Sequence, residues 1–454
     1  MSRSVRVGNG AGFWGDNLDA PFLLARDGKI DYLTLEYLAE LTLAILSHIR
    51  VKDPNAGYIN DFPDLLERLH PILDDQPHLK IVTNAGGLNP VACAKRCATL
   101  LGNKIIGVVS GDDVLGNLYG WLDQGIDLQH METGEPLSRS LVTRFVSASA
   151  YLGAEPIARA LGQGARIVIT GRVADASLTL GPALHEFAWP LDDWDRLAGA
   201  TVAGHVIECG AQASGGLWHH WSSLDNLAGV GYPIAELAED GTSVITKAEG
   251  SGGSVEVGTI AEQLVYEIDD PTRYRTPDVD VDLTALQLYA IETNRVRITD
   301  CRGQAPGEKL KLACVYRDGY TASGLVAVVG RNAEAKARAA GQIVLDRVRN
   351  AGFDLADSLV ECLGAGDVVP GLLKPETPPR EVVLRITVRD PRKAAVERFC
   401  REIAPLVTAG PPGIAGYASG RPSPKPAFGY WPCLVPRSLV TPEVEVRSAR
   451  EWYS

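Results

Sequence analysis

The sequence predicts an α/β protein with an N-terminal parallel sheet and a C-terminal α+β domain. Over the first 280 residues, short apolar runs alternate with helical patterns, which is typical of a parallel sheet with crossover helices. After about residue 280 the pattern changes to neighbouring antiparallel strands followed by a long helical run. The chain has 454 residues, 45% of them hydrophobic and 22% charged, which is enough for two cores. We therefore expect an α/β domain over residues 1–280 and an α+β domain over residues 281–454.

The candidate strands of the N-terminal domain all end on polar or glycine residues. They cover residues 4–7, 32–36, 80–83, 105–110 and 166–170. In open parallel sheets, ligands bind outside the carboxyl ends of the strands, and a β/α barrel would place them at the equivalent face. We therefore expect the loops at the strand ends to form the functional site.

The C-terminal domain is predicted from a second set of patterns. Antiparallel strands are expected at residues 295–299, 309–316 and 322–329, followed by a helix over residues 333–348, a strand over residues 381–388 and a helix over residues 391–407. Stretches rich in proline and glycine predict loops at residues 364–379 and 410–426.

Composition narrows the possible partners. The formal net charge of −12 repels nucleic-acid phosphates and anionic membrane surfaces, so we expect neither as a partner. No apolar run approaches the roughly 20 residues that cross a bilayer, and the first residues enter a strand without a signal-like apolar segment, which predicts a cytoplasmic protein. The eight cysteines are scattered without a CxxC pair, which indicates reduced thiols. We expect no metal and no cofactor.

The motif at residues 201–212 carries most of the candidate chemistry. Read as a helix, it places His205, Glu208, Cys209 and Gln212 on one face. Acid/base catalysis by His205 or Glu208 requires only a cleft and a partner. A nucleophilic Cys209 would need a lowered pKa, and a metal held by His205 and Cys209 would need a third ligand from elsewhere. A structural polar stripe remains the alternative.

A second pair of candidates follows the predicted strand at residues 166–170. Arg172 could bind a carboxylate or phosphate, and Asp175 could act as a base or orient water. The alternative is that the two side chains form a structural ion pair with each other.

The first glycine-rich turn has the formal spacing of a dinucleotide-binding loop. Gly10, Gly12 and Gly15 follow Asn9, and Glu36 ends the next predicted strand. The bulky rings of the two residues after Gly12 would lie where a diphosphate must approach. The pattern therefore favours a plain turn, or an anion- or substrate-binding loop at Asn9, Gly10 and Gly12, over a nicotinamide or flavin site.

Another turn between a strand and a helix contains Asn84 and Asn89. Free amide groups at a helix N-terminus could bind a carboxylate or a thioester carbonyl. The alternative is a turn in which Asn89 caps the helix that begins at Pro90.

A glycine-rich loop at residues 247–254 precedes a predicted helix over residues 255–266. Lys247, Ser251, Gly252 and Gly253 could hold an anion or an enolate oxygen through backbone N–H groups and a cation. The spacing of a nucleoside-triphosphate loop is missing, and a plain flexible loop is the alternative.

Several separated motifs resemble those of a known family. They include Thr170-Gly-Arg-Val-Ala-Asp175 and Gly204-His-Val-Ile-Glu-Cys-Gly-Ala-Gln212. Further motifs lie at residues 8–16, 32–40, 231–236, 250–255, 262–266, 270–278, 408–413, 416–422 and 428–432. Through this set, which covers nearly the whole chain, the sequence resembles the acyclic terpene utilisation protein A family. The resemblance implies a place in catabolic pathways that run on coenzyme A thioesters, but it supplies no list of catalytic residues.

These observations lead to one main hypothesis and two alternatives. The main hypothesis is an enzyme of acyl-CoA or small-carboxylate catabolism, of lyase or hydratase type, with Asp175, His205 and Glu208 as acid/base groups. The alternatives are a hydrolase using Cys209 or a metal-bound water, and a non-catalytic subunit of an acyl-CoA enzyme complex. We expect a small-molecule substrate, with a coenzyme A thioester as a candidate, and a homo-oligomer.

Overall fold

The computed structural model describes residues 3–372 and 375–453. The strands are β1 (Ser4–Asn9), β2 (Tyr32–Leu35), β3 (Lys80–Thr83), β4 (Ile105–Ser110), β5 (Phe145–Ala150), β6 (Ile167–Thr170), β7 (Pro233–Ala238), β8 (Ser243–Lys247), β9 (Tyr274–Arg275), β10 (Asp280–Asp282), β11 (Gln287–Glu292), β12 (Arg295–Thr299), β13 (Arg302–Gln304), β14 (Lys309–Val329), β15 (Asp357–Leu363), β16 (Glu381–Asp390), β17 (Ile414–Tyr417), β18 (Lys425–Pro436) and β19 (Glu443–Ser448).

The α-helices carry the same chain-order numbering. They are α1 (Ala20–Asp27), α2 (Glu40–Lys52), α3 (Asp61–Asp75), α4 (Pro90–Ala98), α5 (Leu118–Asp123), α6 (Arg139–Val142), α7 (Glu155–Gly162), α8 (Ser177–Phe187), α9 (Trp194–Glu208), α10 (Val257–Val265), α11 (Ala333–Asn350), α12 (Lys393–Glu402), α13 (Leu406–Ala409) and α14 (Ala449–Tyr453). Within the described residues, no helix is both long and apolar enough to cross a membrane.

The first compact unit contains a ten-stranded mixed sheet, which confirms the predicted α/β class. Its strand order is β11-β12-β8-β7-β1-β2-β3-β6-β4-β19. The five strands predicted at the outset, β1, β2, β3, β6 and β4, are adjacent and parallel, and the flanking strands are antiparallel. Strand β6 is an almost continuous run of buried apolar residues, as expected for a parallel strand covered on both faces.

The two compact units divide the chain at residues 315 and 429 rather than at residue 280. The first comprises the described residues up to 315 and from 430 onward, and the second comprises residues 316–429. The first unit extends beyond residue 280 because β12 pairs with β8 and β11 pairs with β12, so both strands join the large sheet. The end of the chain returns to the same sheet, where β19 pairs with β4.

The second unit is an antiparallel sheet with helices packed on it. Its order is β15-β16-β14-β17, and residues 320–329 of β14 pair with residues 381–390 of β16. The apolar faces of α11 and α12 supply Val344 and Phe399 to a core that also contains Leu384. This core forms because both helices place apolar residues at intervals of three and four positions.

The prediction of separate strands at residues 309–316 and 322–329 is wrong, because both belong to the single strand β14. An Asp-Gly pair such as Asp318-Gly319 favours a turn in isolation. Here Gly319 has a φ of +81° and lies so close to β16 that a Cβ atom would be 2.6 Å from the Asp390 carbonyl oxygen. The pair therefore continues the strand.

Two smaller predictions of the second unit also differ from the structure. The helix predicted over residues 391–407 is divided into α12 and α13. The loop predicted at residues 410–426 contains β17, which pairs with β14. The loop predicted at residues 364–379 includes residues 373 and 374, which lie outside the described residues, and its described part contains neither helix nor strand.

Candidate active site

The carboxyl ends of the parallel strands bring polar side chains together. Glu36 follows β2, Asn84 follows β3, and both are buried. The Asn84 side-chain amide donates to Glu36 Oε1 at 2.5 Å and accepts from the Tyr37 backbone N–H at 2.9 Å. The side-chain polar groups of Asn84 therefore form hydrogen bonds with the adjacent strand end. Asn84 positions Glu36 and Tyr37.

Arg172, which follows β6, is the central cation of this cluster. It is 2% exposed, and its guanidinium lies 2.7 Å from the Asp175 carboxylate and 3.5 Å from Glu36. The same group lies over the Tyr151 ring at 4.1 Å, and Asp112 accepts the Arg172 backbone N–H at 2.8 Å. The structure thus contains the ion pair that was the structural alternative for Arg172 and Asp175.

Asp175 differs from Arg172 in being accessible. Its side chain is 30% exposed. Burial raises the pKa of Asp175, although Arg172 opposes the shift. Asp175 is therefore a cavity-lining carboxylate with a buried cation behind it, which is a suitable arrangement for a general base.

His205 and Glu208 lie together at the end of α9. His205 Nδ1 is 3.1 Å from Glu208 Oε1, and the two side chains are 2% and 8% exposed. Burial lowers the pKa of His205, but the hydrogen bond and the charge of Glu208, together with the Leu264 backbone and the charge of Glu267, outweigh it, and the net shift is upward. Burial raises the pKa of Glu208 to about 7. Among the described residues, Glu208 Oε2 is buried and has no hydrogen-bond partner.

The predicted four-residue helical face is only half correct, because α9 ends at Glu208. Cys209 is the C-cap, and Gln212 belongs to the following 3-10 turn, Gly210–Ser214. The helix stops there because Gly210 adopts a φ of +60°, a left-handed conformation that glycine accommodates readily. His205 and Glu208 therefore remain on the helix, while Cys209 and Gln212 lie beyond it.

The Asn9 side chain holds this end of α9 in place. Its side-chain amide donates to the carbonyl oxygens of Ile207 and Glu208 at 2.8 and 2.9 Å, and to that of Ala11 at 3.0 Å. The carbonyl groups of Ile207 and Glu208 are ones that a helix C-terminus leaves without intrahelical partners. Asn9 thus connects the end of β1 to the end of α9, and its amide donors are engaged within the fold.

The glycine turn after β1 packs against the same helix end. A Cβ atom on Gly12 would lie 2.7 Å from the Cys209 carbonyl carbon, and one on Gly10 would lie 2.8 Å from Pro21 Cα. The Gly12 N–H donates to Asp16 at 2.9 Å. The close approach that the glycines permit is therefore to protein backbone, which agrees with the plain-turn alternative rather than with a dinucleotide.

Asn89 is the N-cap of α4. Its side chain accepts from the Ala92 N–H at 3.3 Å and donates to the carbonyl oxygens of Pro54 and Ala56. These contacts match the capping alternative and leave Asn89 outside the cluster around Arg172.

The glycine-rich loop after β8 also bonds within the fold. Lys247 Nζ donates to the Ser251 carbonyl oxygen at 2.5 Å, and the N–H groups of Gly252 and Gly253 donate to carbonyl oxygens in residues 225–229. Lys247 borders a different cavity from the one that contains Glu208. The structure does not bring this loop together with the acid/base candidates.

Two adjoining cavities contain the site. Cavity A has a volume of about 510 Å³ and includes His205, Tyr274 and Arg275 in its lining. Cavity B has a volume of about 640 Å³ and includes Arg172, Cys209 and Gln212. The lining residues that the two cavities share are Tyr151, Asp175, Glu208, Glu267 and Lys311. Asp175 and Glu208 therefore stand where the cavities meet.

A cluster around Glu40 was missed by sequence reasoning. Glu40 Oε1 accepts hydrogen bonds from the hydroxyls of Tyr151 and Tyr430 at 2.8 and 3.2 Å and from Lys311 Nζ at 3.1 Å. Burial raises the pKa of Glu40, but Lys311 and Arg172 outweigh it and lower the value to about 2. The only sequence signal was that Glu40 closes one of the family-like motifs, residues 32–40.

The environment of Cys209 disfavours a nucleophilic thiol. Burial and the neighbouring Glu208 raise the pKa of its thiol above the ordinary value, which disfavours the reactive thiolate. Across residues 3–372 and 375–453, no group of three or more His, Cys, Asp or Glu side chains is arranged to hold a metal ion.

Comparison with known proteins identifies the family. The model of the acyclic terpene utilisation family protein AtuA matches residues 5–446, which is nearly the whole chain. Comparison with curated proteins and with solved structures gives no match. The match confirms the resemblance carried by the separated motifs, and the chain belongs to the AtuA family of acyclic terpene utilisation proteins.

Proposed function

We propose that the protein is an enzyme of acyl-CoA or small-carboxylate catabolism that acts by acid/base chemistry, of lyase or hydratase type. The supporting observation is Glu208, a cavity-lining carboxyl whose pKa is raised to about 7 and which is hydrogen-bonded to His205. A group with a pKa near the working pH exchanges protons most effectively. A role in acyclic terpene utilisation agrees with a catabolic reaction.

In the proposed reaction, Asp175 and Glu208 have different tasks. Asp175, paired with Arg172, removes a proton from the carbon next to the substrate carbonyl. Glu208, protonated in part of the population at neutral pH, donates a proton to the departing hydroxyl group. The C–H and C–O bonds break, a C=C bond forms and water leaves; hydration is the reverse. His205 positions Glu208, and Lys311 supplies positive charge near the developing enolate.

Isotope exchange tests this proposal. The protein is incubated in deuterated water with a panel of acyl thioesters and short carboxylates, and deuterium incorporation next to the carbonyl is followed by mass spectrometry. Glu208→Gln and Asp175→Asn are each expected to slow exchange or turnover by about 10²- to 10⁴-fold, the usual contribution of a general acid or base. Glu67→Gln, an exposed substitution on α3, is the matched control. Full rates in both site variants would refute the assignment.

The two alternative functions have weaker support. Hydrolysis through Cys209 requires a thiolate, and the thiol pKa is raised. Iodoacetamide labelling at a lowered pH, or stoichiometric metal in the purified protein, would favour hydrolysis. A stoichiometric partner that co-purifies with an inactive chain would favour a non-catalytic subunit.

A further inference from the structure

Cavity B carries apolar side chains that remain open to solvent. Phe13, Leu217 and Tyr266 line it and are 56%, 86% and 41% exposed. Large apolar side chains gathered at a cavity mouth mark surfaces that bind apolar ligands, whereas isolated ones need no explanation. We refer to these three side chains as the apolar rim.

The backbone at the rim is held in an unusual conformation. Leu217 has a φ of 60°, and Glu267, which follows Tyr266 and lines both cavities, has a φ of 61°. Left-handed residues other than glycine are uncommon and cost free energy, and they concentrate at ligand clamps and other functional sites. Two of the eight such residues in the described part of the chain lie on the lining of cavity B, at or next to the apolar rim.

Cavity A has a different lining. Arg275 and Lys309 are exposed, and neither forms an ion pair with any residue in the described part of the chain, although Arg275 interacts electrostatically with exposed Asp270. By contrast, Arg273 is committed to Asp280 at 2.8 Å. Arg275 and Lys309 are therefore available to bind an anion.

We propose that the substrate is an elongated amphiphile that spans both cavities. Its anionic end binds Arg275 and Lys309 in cavity A, and its apolar end lies against the apolar rim of cavity B. The middle of the molecule then passes Asp175 and Glu208 where the cavities meet. This inference rests on the proposed function, because only an acid/base role gives those two carboxyl groups a reason to face the middle of the ligand.

The chemistry at each end is set by these contacts. Glu267 and Glu308 also line cavity A, so attraction of an anion depends on Arg275 and Lys309 themselves rather than on net charge. The anionic group can be a carboxylate or a phosphate, since guanidinium and ammonium groups bind both. Binding at the rim depends on apolar area and should increase with the length of the apolar chain.

Equilibrium binding of saturated probes that carry no alcohol group to eliminate tests the assignment. The probes are straight-chain carboxylates of increasing length, the matching methyl esters and the matching alkyl phosphates, measured by calorimetry on the full-length protein. Affinity is expected to rise up to about fourfold per methylene, which corresponds to about 0.8 kcal/mol per buried CH₂. Carboxylates or phosphates, whichever group the site takes, are expected to bind more tightly than esters of equal length.

Two pairs of variants separate the two ends. Phe13→Ser and Leu217→Ser are expected to flatten the dependence on chain length while preserving the preference for the anion over the ester. Arg275→Gln and Lys309→Gln are expected to abolish that preference while preserving the dependence on chain length. Leu191→Ser and Lys95→Gln, exposed substitutions outside both cavities, are the matched controls and should change neither.

The results distinguish this inference from the proposed function. Three results would overturn the amphiphile assignment. The first is that every variant loses both the dependence on chain length and the preference for the anion. The others are that a rim substitution changes only the oligomeric state, or that no probe binds. Because these probes have no alcohol group to eliminate, their binding is measured apart from the reaction. Binding as expected together with full exchange activity in Glu208→Gln and Asp175→Asn would refute the proposed function and leave the assignment of the two ends intact.

Discussion

Glu208 and Glu40 line the same cavity and have opposite acidities. The pKa of Glu208 is raised to about 7, whereas that of Glu40 is lowered to about 2. The Glu208 side chain is 8% exposed and, among the described residues, is hydrogen-bonded to His205 alone, while the side chain of Glu40 is 35% exposed and accepts three hydrogen bonds. The comparison shows that desolvation controls the first carboxyl, and that cations and hydroxyl donors control the second.

Removing the buried cation that lies beside these carboxyl groups should have the largest effect on the free energy of unfolding. Arg172→Met leaves the carboxylates of Glu36 and Asp175 without their countercharge, and we expect a loss of roughly 3–5 kcal/mol in the free energy of unfolding. Urea denaturation at pH 7 measures it. Arg159→Met removes an exposed cation and should cost about 1 kcal/mol or less. Equal losses in the two variants would contradict the role of Arg172.

The pH dependence of stability should reveal the raised pKa of Glu208. Because its folded pKa lies above its unfolded value, the folded state binds the extra proton, and its contribution to stability is lost as pH rises from about 4.5 to about 7. The upward shift of His205 acts in the same direction. In the wild type, the free energy of unfolding should decrease on the order of 2–3 kcal/mol across this pH range because of this group, and Glu208→Gln should remove that decrease. Unfolding curves at several pH values give the free energy of unfolding as a function of pH. Equal slopes against pH in the wild type and the variant would contradict this prediction.

Glu40 should show the opposite sign and a smaller magnitude. Its lowered pKa contributes stability that is present above about pH 4.5 and is lost as pH falls toward 2. Because the side chain is about one-third exposed, solvent screening reduces the effect, and we expect Glu40→Gln to cost about 1 kcal/mol at pH 7. Thermal unfolding at pH 7 and pH 3 measures it, and a cost that grows toward acid pH would contradict the sign.

The smallest expected effect concerns a single hydroxyl donor. Tyr430→Phe removes the 3.2 Å hydrogen bond to Glu40 and leaves Tyr151 and Lys311 in place. We expect a loss of about 0.5–1 kcal/mol in the free energy of unfolding, since the remaining donors still satisfy the carboxylate. Tyr289→Phe, an exposed substitution on β11, is the control. A loss clearly larger than that of Glu40→Gln would show that Tyr430 acts in another way.

Local patterns predicted the scaffold of the site well. The five parallel strands and the helix bearing His205 and Glu208 follow from runs of apolar residues and from helical spacing, which depend on neighbours in sequence. The strand-end rule also predicted where Arg172 and Asp175 would be placed. The end of α9 was misplaced because it depends on the backbone conformation of Gly210.

The missed contacts join distant parts of the chain. Glu40 meets Lys311 and Tyr430, which are 271 and 390 positions away. No periodicity in one sequence encodes such contacts, because they arise only when the strands assemble. The glycine-rich loop after β8 shows the converse error: its composition suits an anion, but its N–H groups bond to carbonyl oxygens of residues 225–229.

The contact of Asn9 with the last carbonyl groups of α9 has a kinetic consequence. It joins residues that are 198 and 199 positions apart, so it cannot form until most of the first unit has been synthesised and the first strand has docked. Contacts of such long sequence separation form late, because a large loss of chain entropy must precede them. In a partly folded chain, Glu208 would remain hydrated and titrate like an ordinary glutamate. Recovery of a carboxyl that titrates near pH 7 should therefore report the final stage of folding.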